Sequence, residues 1–370
     1  MGASAALRRC WPLALAAMVL AAAVLGYRGW RQRPVLVAVG VDMPLVNGAA
    51  IDPTDRYTAD LYLEEHPRSR IRLVNMVNRP DPASGPATIA QLKREGVRLF
   101  ITTQASNLAV PSLSQFKSGD ALAINVSAVS PRLSGQDDYF FRLVPDVGQE
   151  QRALARQLSR RPGGRLLVLQ DNGNLAYSEP AFAIVAAELQ RSGRWRITRH
   201  KLDVAAFNPQ RDRALMQGHF DGLYLLAGGF LPLLGNISQL FHQLHPEAPI
   251  WLTPWARSEA IVEHGGAASA HSWVLSPYPA RGQDPAVARY FDRFRQRFGY
   301  TPYAMGIGTR QALELLDQAL ASGATTPAEV KRYMLSRPVH HTSLGPIRFD
   351  ANGDVRAQFH LFPATADRQP

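Results

Sequence analysis

The residues most suggestive of chemistry are two histidines three apart, His242 and His245 in F-H-Q-L-H, which can share one helical face. A metal site needs a third or fourth ligand, and no acid or cysteine lies near them at a matching spacing, so the pair reads as a solvated helix end. His340-His341 reads as a loop pair. Asp350, Asn352 and Asp354 imitate the start of a calcium loop, but Val355 stands where glycine is needed and Leu361 where glutamate is needed. They predict a hairpin turn instead. Gly306-Ile307-Gly308 does not follow a strand in a βαβ unit, so it is no dinucleotide fingerprint. Neither G-x-S-x-G nor a Ser/His/Asp set occurs. The chain is therefore read as a non-enzyme that needs no metal or cofactor. What remains is W-L-T-P-W-A-R at 251–257. Trp251 lies in an apolar run that predicts a buried strand, whereas Trp255 falls beyond Pro254, where a loop begins. An aromatic at a strand end either fills the core or floors a binding site.

The chain must supply elements to position such a residue. Its 370 residues suffice for two domains. The formal charge is +11, but Arg8, Arg9, Arg28, Arg31 and Arg33 sit in the first 35 residues without an acid among them. The rest of the excess is spread out, with no basic block interleaved with aromatics, which argues against nucleic acid. The lone Cys10 excludes an internal disulfide and precedes the apolar segment, so it is no lipid-acceptor site. Residues 1–33 read as a targeting segment: two arginines, an uncharged run over 11–27, then basic residues. That run is just short of a ~30 Å hydrocarbon core and fits an uncleaved anchor or a cleaved signal. Either way Arg8 and Arg9 stay in the cytoplasm and the remainder is exported to the periplasm, anchored to the inner membrane if uncut.

From Pro34 onward, short apolar runs alternate with amphipathic segments. Strands are expected at 35–41, 71–77, 97–103, 121–126, 166–170, 222–226, 250–253 and 273–275. Helices are expected at 55–65, 86–95, 149–159, 179–191 and 285–298, among others. This order predicts βαβ units and parallel sheets flanked by helices, laid down twice. Three crossings are expected: at 140–146, near 275–279, and near G-P-I-R-F-D-A-N-G-D (345–354) with its Asn-Gly turn. The fold class predicted is α/β, with two Rossmann-like lobes on a three-strand hinge. The lobes would be 34–142 with 276–346, and 143–275 with 347–370, closing as a clamshell on a ligand at the carboxyl ends of the strands.

Landmarks in this order resemble the type I periplasmic solute-binding proteins, in the branch serving branched-chain amino acids and amides for ABC importers. They are L-V-L-Q-D-N-G-N-L-A-Y-S-E-P (167–180), D-G-L-Y-L-L-A-G-G-F (221–230), F-D-R-F-R-Q-R-F-G-Y-T-P-Y (291–303) and G-P-I-R-F-D-A-N-G-D (345–354). The resemblance spans about Val35 to Pro363 and implies capture of a small solute between the lobes. It implies ligand contacts at two polar turns, Gln104-Ala105-Ser106 and Ser127-Ala128-Val129, and at Tyr177, Phe230 and Trp255. At the first turn a strand opens into a helix, where free N–H groups and the helix dipole favour an anion; Ser106 and Ser127 equally suit helix capping. Amino-acid-binding members carry an acid where Trp255 stands, to pair with the ligand's ammonium. Desolvating an ammonium without a counter-charge costs several kcal/mol, and an indole face recovers about 1–2 kcal/mol of it. Arg310 likewise replaces an acid, and the loop D-M-P-L-V-N-G at 42–48 is unusually apolar. These departures suit an apolar or aromatic ligand with an anionic group. The implied partner is an ABC permease or a membrane-bound sensor. The alternative is a degenerate clamshell that binds no solute and serves as a protein-interaction module.

Overall fold

The structure is a computed structural model that describes residues 33–42, 53–79, 81–229 and 232–368, together with Met18. Phe230, the loop at 43–48 and, apart from Met18, the apolar run at 11–27 lie outside the described residues. Among the described residues no helix is long and apolar enough to cross a membrane.

The first sheet holds β1 (Val35–Asp42), β2 (Ile71–Asn78), β3 (Leu99–Thr102), β4 (Leu122–Asn125) and β5 (Phe140–Arg142) in the order β2-β1-β3-β4-β5. All its pairs are parallel. The central strands β3 and β4 are buried along their whole length, which explains their unbroken apolar runs. Around this sheet lie α1 (Thr54–Glu65), α2 (Ser84–Arg94) and α3 (Ser106–Ser112).

The second sheet holds β6 (Gly164–Asp171), β7 (Trp195–Leu202), β8 (Gly222–Leu226), β9 (Ile250–Leu252), β10 (Ser272–Ser276) and β13 (His360–Pro363), in the order β13-β10-β9-β8-β6-β7. Only β13 runs antiparallel to its neighbour. Its helices are α4 (Val147–Leu158), α5 (Leu175–Ser192), α6 (Leu233–Leu244) and α7 (Glu259–Gly265). The chain then returns to the first sheet through α8 (Pro285–Phe298), α9 (Met305–Ala321) and α10 (Pro327–Leu335), followed by the hairpin of β11 (His340–Thr342) and β12 (Gly345–Ile347). Each sheet is covered on both faces: by separate apolar clusters centred on Leu99 and Phe100 in the first, and on Leu225 and Tyr224 in the second. The whole is a clamshell-like α/β fold.

The chain passes between the sheets three times, and buried ions hold those passages. At the end of β5, Arg142 is 1% exposed and donates to Asp354 Oδ1 at 2.9 and 2.6 Å, to Ser134 Oγ and to the Ser130 carbonyl. That fork ties the first passage to the turn opening the third. The turn is Asp350–Asp354: Asp350 Oδ1 accepts from the Asn352 and Asp354 amides, and Gly353 has φ 80°. A Cβ on Gly353 would also lie 2.7 Å from the Phe141 ring, so glycine is required there twice over. At the second passage, Arg257 donates to Ser276 Oγ and to the Tyr278 and Pro279 carbonyls while pairing with Asp367. Ile347 and Val355 pack in the first sheet's core, and Phe359 and Leu361 pack against the second's. The third passage therefore lies between Val355 and Phe359.

Candidate functional site

The polar turns of the first sheet follow from strand register. In the parallel pair β3–β4, Thr102 stands opposite Asn125 at the carboxyl ends. Asn125 Nδ2 donates to Thr102 Oγ1 at 2.9 Å and to the Gln104 carbonyl at 3.1 Å, and Asn125 Oδ1 accepts from the Ser127 and Ala128 amides. Ser106 Oγ accepts from the Val129 and Ser130 amides at 3.2 and 3.1 Å. Ser106 thus does not cap its own helix; its hydroxyl oxygen joins the two turns. Ala105 is the N-cap of α3 and has no side-chain acceptor to offer. With seven residues, α3 is short for a strong dipole, and the four amides at 127–130 already have acceptors inside the lobe. Gln104 is buried, and its Oε1 has no hydrogen-bond partner. The amides of the second turn, at 127–130, are therefore taken by the protein's own side chains.

The two sheets meet at a cavity of ≈ 20 Å³, room for about one water. The first lobe contributes Val126 and Val129 from the loop after β4, and Ala304 and Met305 at the start of α9. The second contributes Glu150, Pro254, Trp255 and Phe359, and the passages supply Val144 with Pro145 and Ser276 with Tyr278. Of the residues expected from the sequence, Trp255 and Val129 line this cavity directly. Ser106, Ser127, Ala128, Gln104 and Ala105 shape the turns behind it. Trp251 is core, stacked edge-on against Trp195 with ring centroids 5.8 Å apart. Trp255, 6% exposed, is cavity wall and core together, with its ring edge-on to Tyr177.

Tyr177 lies in the first turn of α5 and is buried, so it stands one layer behind the cavity. Gly228, at the end of β8, makes room for it: a Cβ there would lie 2.7 Å from the Tyr177 ring. The Tyr177 hydroxyl donates to Glu150 Oε1 at 2.6 Å, and Gln151 Nε2 donates to the same oxygen at 2.8 Å. Gln151 in turn exchanges hydrogen bonds with the Tyr224 hydroxyl. Glu150 is 1% exposed, and burial raises its carboxyl from 4.5 to about 7, against the two hydrogen bonds that lower it. Burial and the neighbouring Glu150 charge push the Tyr177 and Tyr224 phenols well above 10.

Sequence reasoning missed Glu150. Its signal is positional: Val147, Glu150, Gln151, Leu154 and Leu158 form the buried stripe of α4, so an acid stands where an apolar residue is expected. The helix start is fixed by Asp146, whose Oδ1 accepts from the Gly148 and Gln149 amides, and by Gln149, which reaches the Val355 carbonyl. Both anchors belong to passages between the lobes.

Arg310 does not bring positive charge to the cavity. It donates to Glu314 Oε1 at 2.8 Å and to Glu65 Oε2 at 2.5 Å, and its guanidinium lies 4.8 Å from the centroid of Tyr62. The expected link between this arginine and an anionic ligand is corrected by that pairing. At the mouth, Asn107 Nδ2 donates across to the Gly173 carbonyl at 3.5 Å, and Leu175 is 45% exposed. His245 shares a hydrogen bond with the Met216 carbonyl and His340 with that of Met334, while the His242 ring lies tilted against His271 with centroids 4.7 Å apart. Among the described residues no cluster of three or more His, Cys, Asp or Glu could hold a metal.

Two parallel-sheet lobes, three passages and a cavity where they meet define a type I binding-protein architecture. The chain belongs to the periplasmic binding protein family, whose model matches residues 48–369. Solved structures with the same fold include the leucine-binding protein LivK of Thermotoga maritima, 18% identical, with a TM-score of 0.75 over 88% of this chain and 94% of that one. They also include LivJ of Streptococcus pneumoniae in complex with isoleucine, 16% identical, TM-score 0.75, covering 89% and 95%. A third is a solute-binding protein of an ABC transporter from Rhodopseudomonas palustris in complex with 3,4-dihydroxybenzoic acid, 15% identical, TM-score 0.74, covering 88% and 92%. No curated protein sequence matches.

Proposed function

We propose that this chain is an exported solute-binding protein whose lobes close on a small organic ligand with an apolar body. It delivers the ligand to an ABC permease or reports occupancy to a membrane-bound sensor, held at the inner membrane by 11–27. The observation that carries this reading is the apolar cavity at the lobe junction, with Trp255 and Glu150 in one wall. In this reading the lobes are 34–142 with 276–346 and 143–275 with 347–370, and the packing of Val355 draws the third passage toward Phe359. Val129 and Trp255 contact the ligand, and Tyr177 holds the wall behind them. Relatives of this fold that bind leucine, isoleucine or an aromatic acid are in keeping with an apolar ligand body.

The small cavity means that a ligand larger than water enters only when the lobes part. The same tight junction favours the second reading, a clamshell that serves as a protein-interaction module. One experiment separates the two: thermal denaturation of the full chain against amino acids, amides, amines and aromatic acids. A saturable rise in melting temperature with one compound class supports solute binding. No shift with any class, together with no small-molecule adduct in native mass spectra, leaves the interaction module.

A further inference from the structure

We infer, building on the solute-binding reading, that the cleft selects an organic cation: a protonated amine on an apolar or aromatic body, paired with Glu150. Among the described residues lining the cavity, Glu150 is the one charged side chain. Both of its hydrogen bonds end on Oε1, from Tyr177 and from Gln151, which leaves Oε2 to meet a ligand. The Tyr278 hydroxyl is a second polar group of this wall; it is buried without a partner and can accept an N–H. Trp255 and Phe359 add aromatic surface, which attracts a cation.

The amides of the second polar turn are committed elsewhere. The amides of Ser127 and Ala128 donate to Asn125, and those of Val129 and Ser130 to Ser106. The buried arginines near the junction are paired as well: Arg142 with Asp354, Arg257 with Asp367, and Arg310 with Glu65 and Glu314. A carboxylate entering here would meet the like charge of Glu150. An ammonium would find a counter-charge that burial has left uncompensated.

The pairing makes affinity depend on pH. Facing Glu150 are Gln151 and the Asp146 cap on its own helix, Tyr177 from α5 and Tyr224 from β8. The first lobe and the passages bring Val126, Met305, Pro145 and Tyr278, none of them charged. Among the described residues no cation competes for the carboxylate at that wall. Burial holds the Glu150 proton up to about pH 7, and the ligand must displace it. Amine affinity therefore rises with pH to about 7 and then levels, while a carboxylate ligand shows the opposite trend.

The test is isothermal titration of the full chain with phenethylammonium, 3-phenylpropionate and 2-phenylethanol at pH 8 and pH 5.5. Phenethylammonium should bind best at pH 8, weaken roughly 30-fold at pH 5.5 as Glu150 takes up its proton, and weaken at least tenfold in Glu150→Gln. Glu150→Asp keeps the charge and should retain pH-dependent amine binding. If 3-phenylpropionate or the alcohol binds as well as the amine, or Glu150→Gln leaves amine affinity unchanged, the cation inference falls while solute binding stands. If none of the three probes and no member of the wider panel binds, both fall.

Discussion

Replacing Glu150 with glutamine should stabilise the second lobe, and more so as pH rises. The folded-state carboxyl titrates near 7 rather than 4.5, so the fold holds this proton more tightly than the unfolded chain does. Below about pH 4.5 the group is protonated in both states and adds no penalty. Between 4.5 and about 7 the unfolded chain gains from ionisation that the fold resists, and the fold loses stability with each step. Above about 7 the loss is complete, at roughly 3 kcal/mol by the usual 1.36 kcal/mol per pH unit. Glutamine keeps an oxygen for Tyr177 and Gln151 but carries no charge. The variant should match the wild type near pH 4.5 and melt higher at pH 8 by roughly 6–12 °C. The assay is well placed, because the described tryptophans, Trp195, Trp251, Trp255 and Trp273, all lie in the second sheet's part of the chain. Their fluorescence during thermal melts from pH 4.5 to pH 8.5 reports that lobe. A difference between variant and wild type that stays flat with pH, or a variant less stable at pH 8, would refute the account of this carboxyl.

Three further outcomes follow from the same geometry. Ser106→Ala strands the Val129 and Ser130 amides and should cost about 1–3 kcal/mol in urea unfolding. Arg142→Met leaves Asp354 without its fork and should cost about 3–5 kcal/mol, read by the same denaturation and by faster proteolysis at the passages. Trp255→Ala removes core and cavity wall together; it should lower stability by about 3–5 kcal/mol and ligand affinity at least tenfold, with titration heats corrected for the folded fraction.

The alternation of apolar runs and amphipathic helices was enough to read both sheets, because central parallel strands such as β3, β4 and β8 are buried on both faces and leave unbroken apolar runs. β7, W-R-I-T-R-H-K-L, escaped because it is an edge strand whose polar residues face outward. The β11–β12 hairpin escaped because its three-residue strands carry histidine, threonine, glycine and proline. At the site, the position of Trp255 after β9 was legible, since Pro254 ends the strand. The role of Ser106 was not, because its partners lie 23 and 24 residues away on another turn. Arg310 misled for the same reason: Glu65, which neutralises it, is 245 residues distant. Glu150 reads as an ordinary polar helix residue until the buried face of α4 is known.

The central claim, that the lobes close on a small molecule at the Trp255–Glu150 wall, is tested most directly by isothermal titration of the full chain and of Trp255→Ala. The panel spans amines, amino acids, amides and aromatic acids. The account predicts saturable one-to-one binding of at least one compound to the wild type, lost or reduced tenfold in the folded Trp255→Ala protein. Saturable binding that survives Trp255→Ala unchanged, or no saturable heat from any compound, would contradict it.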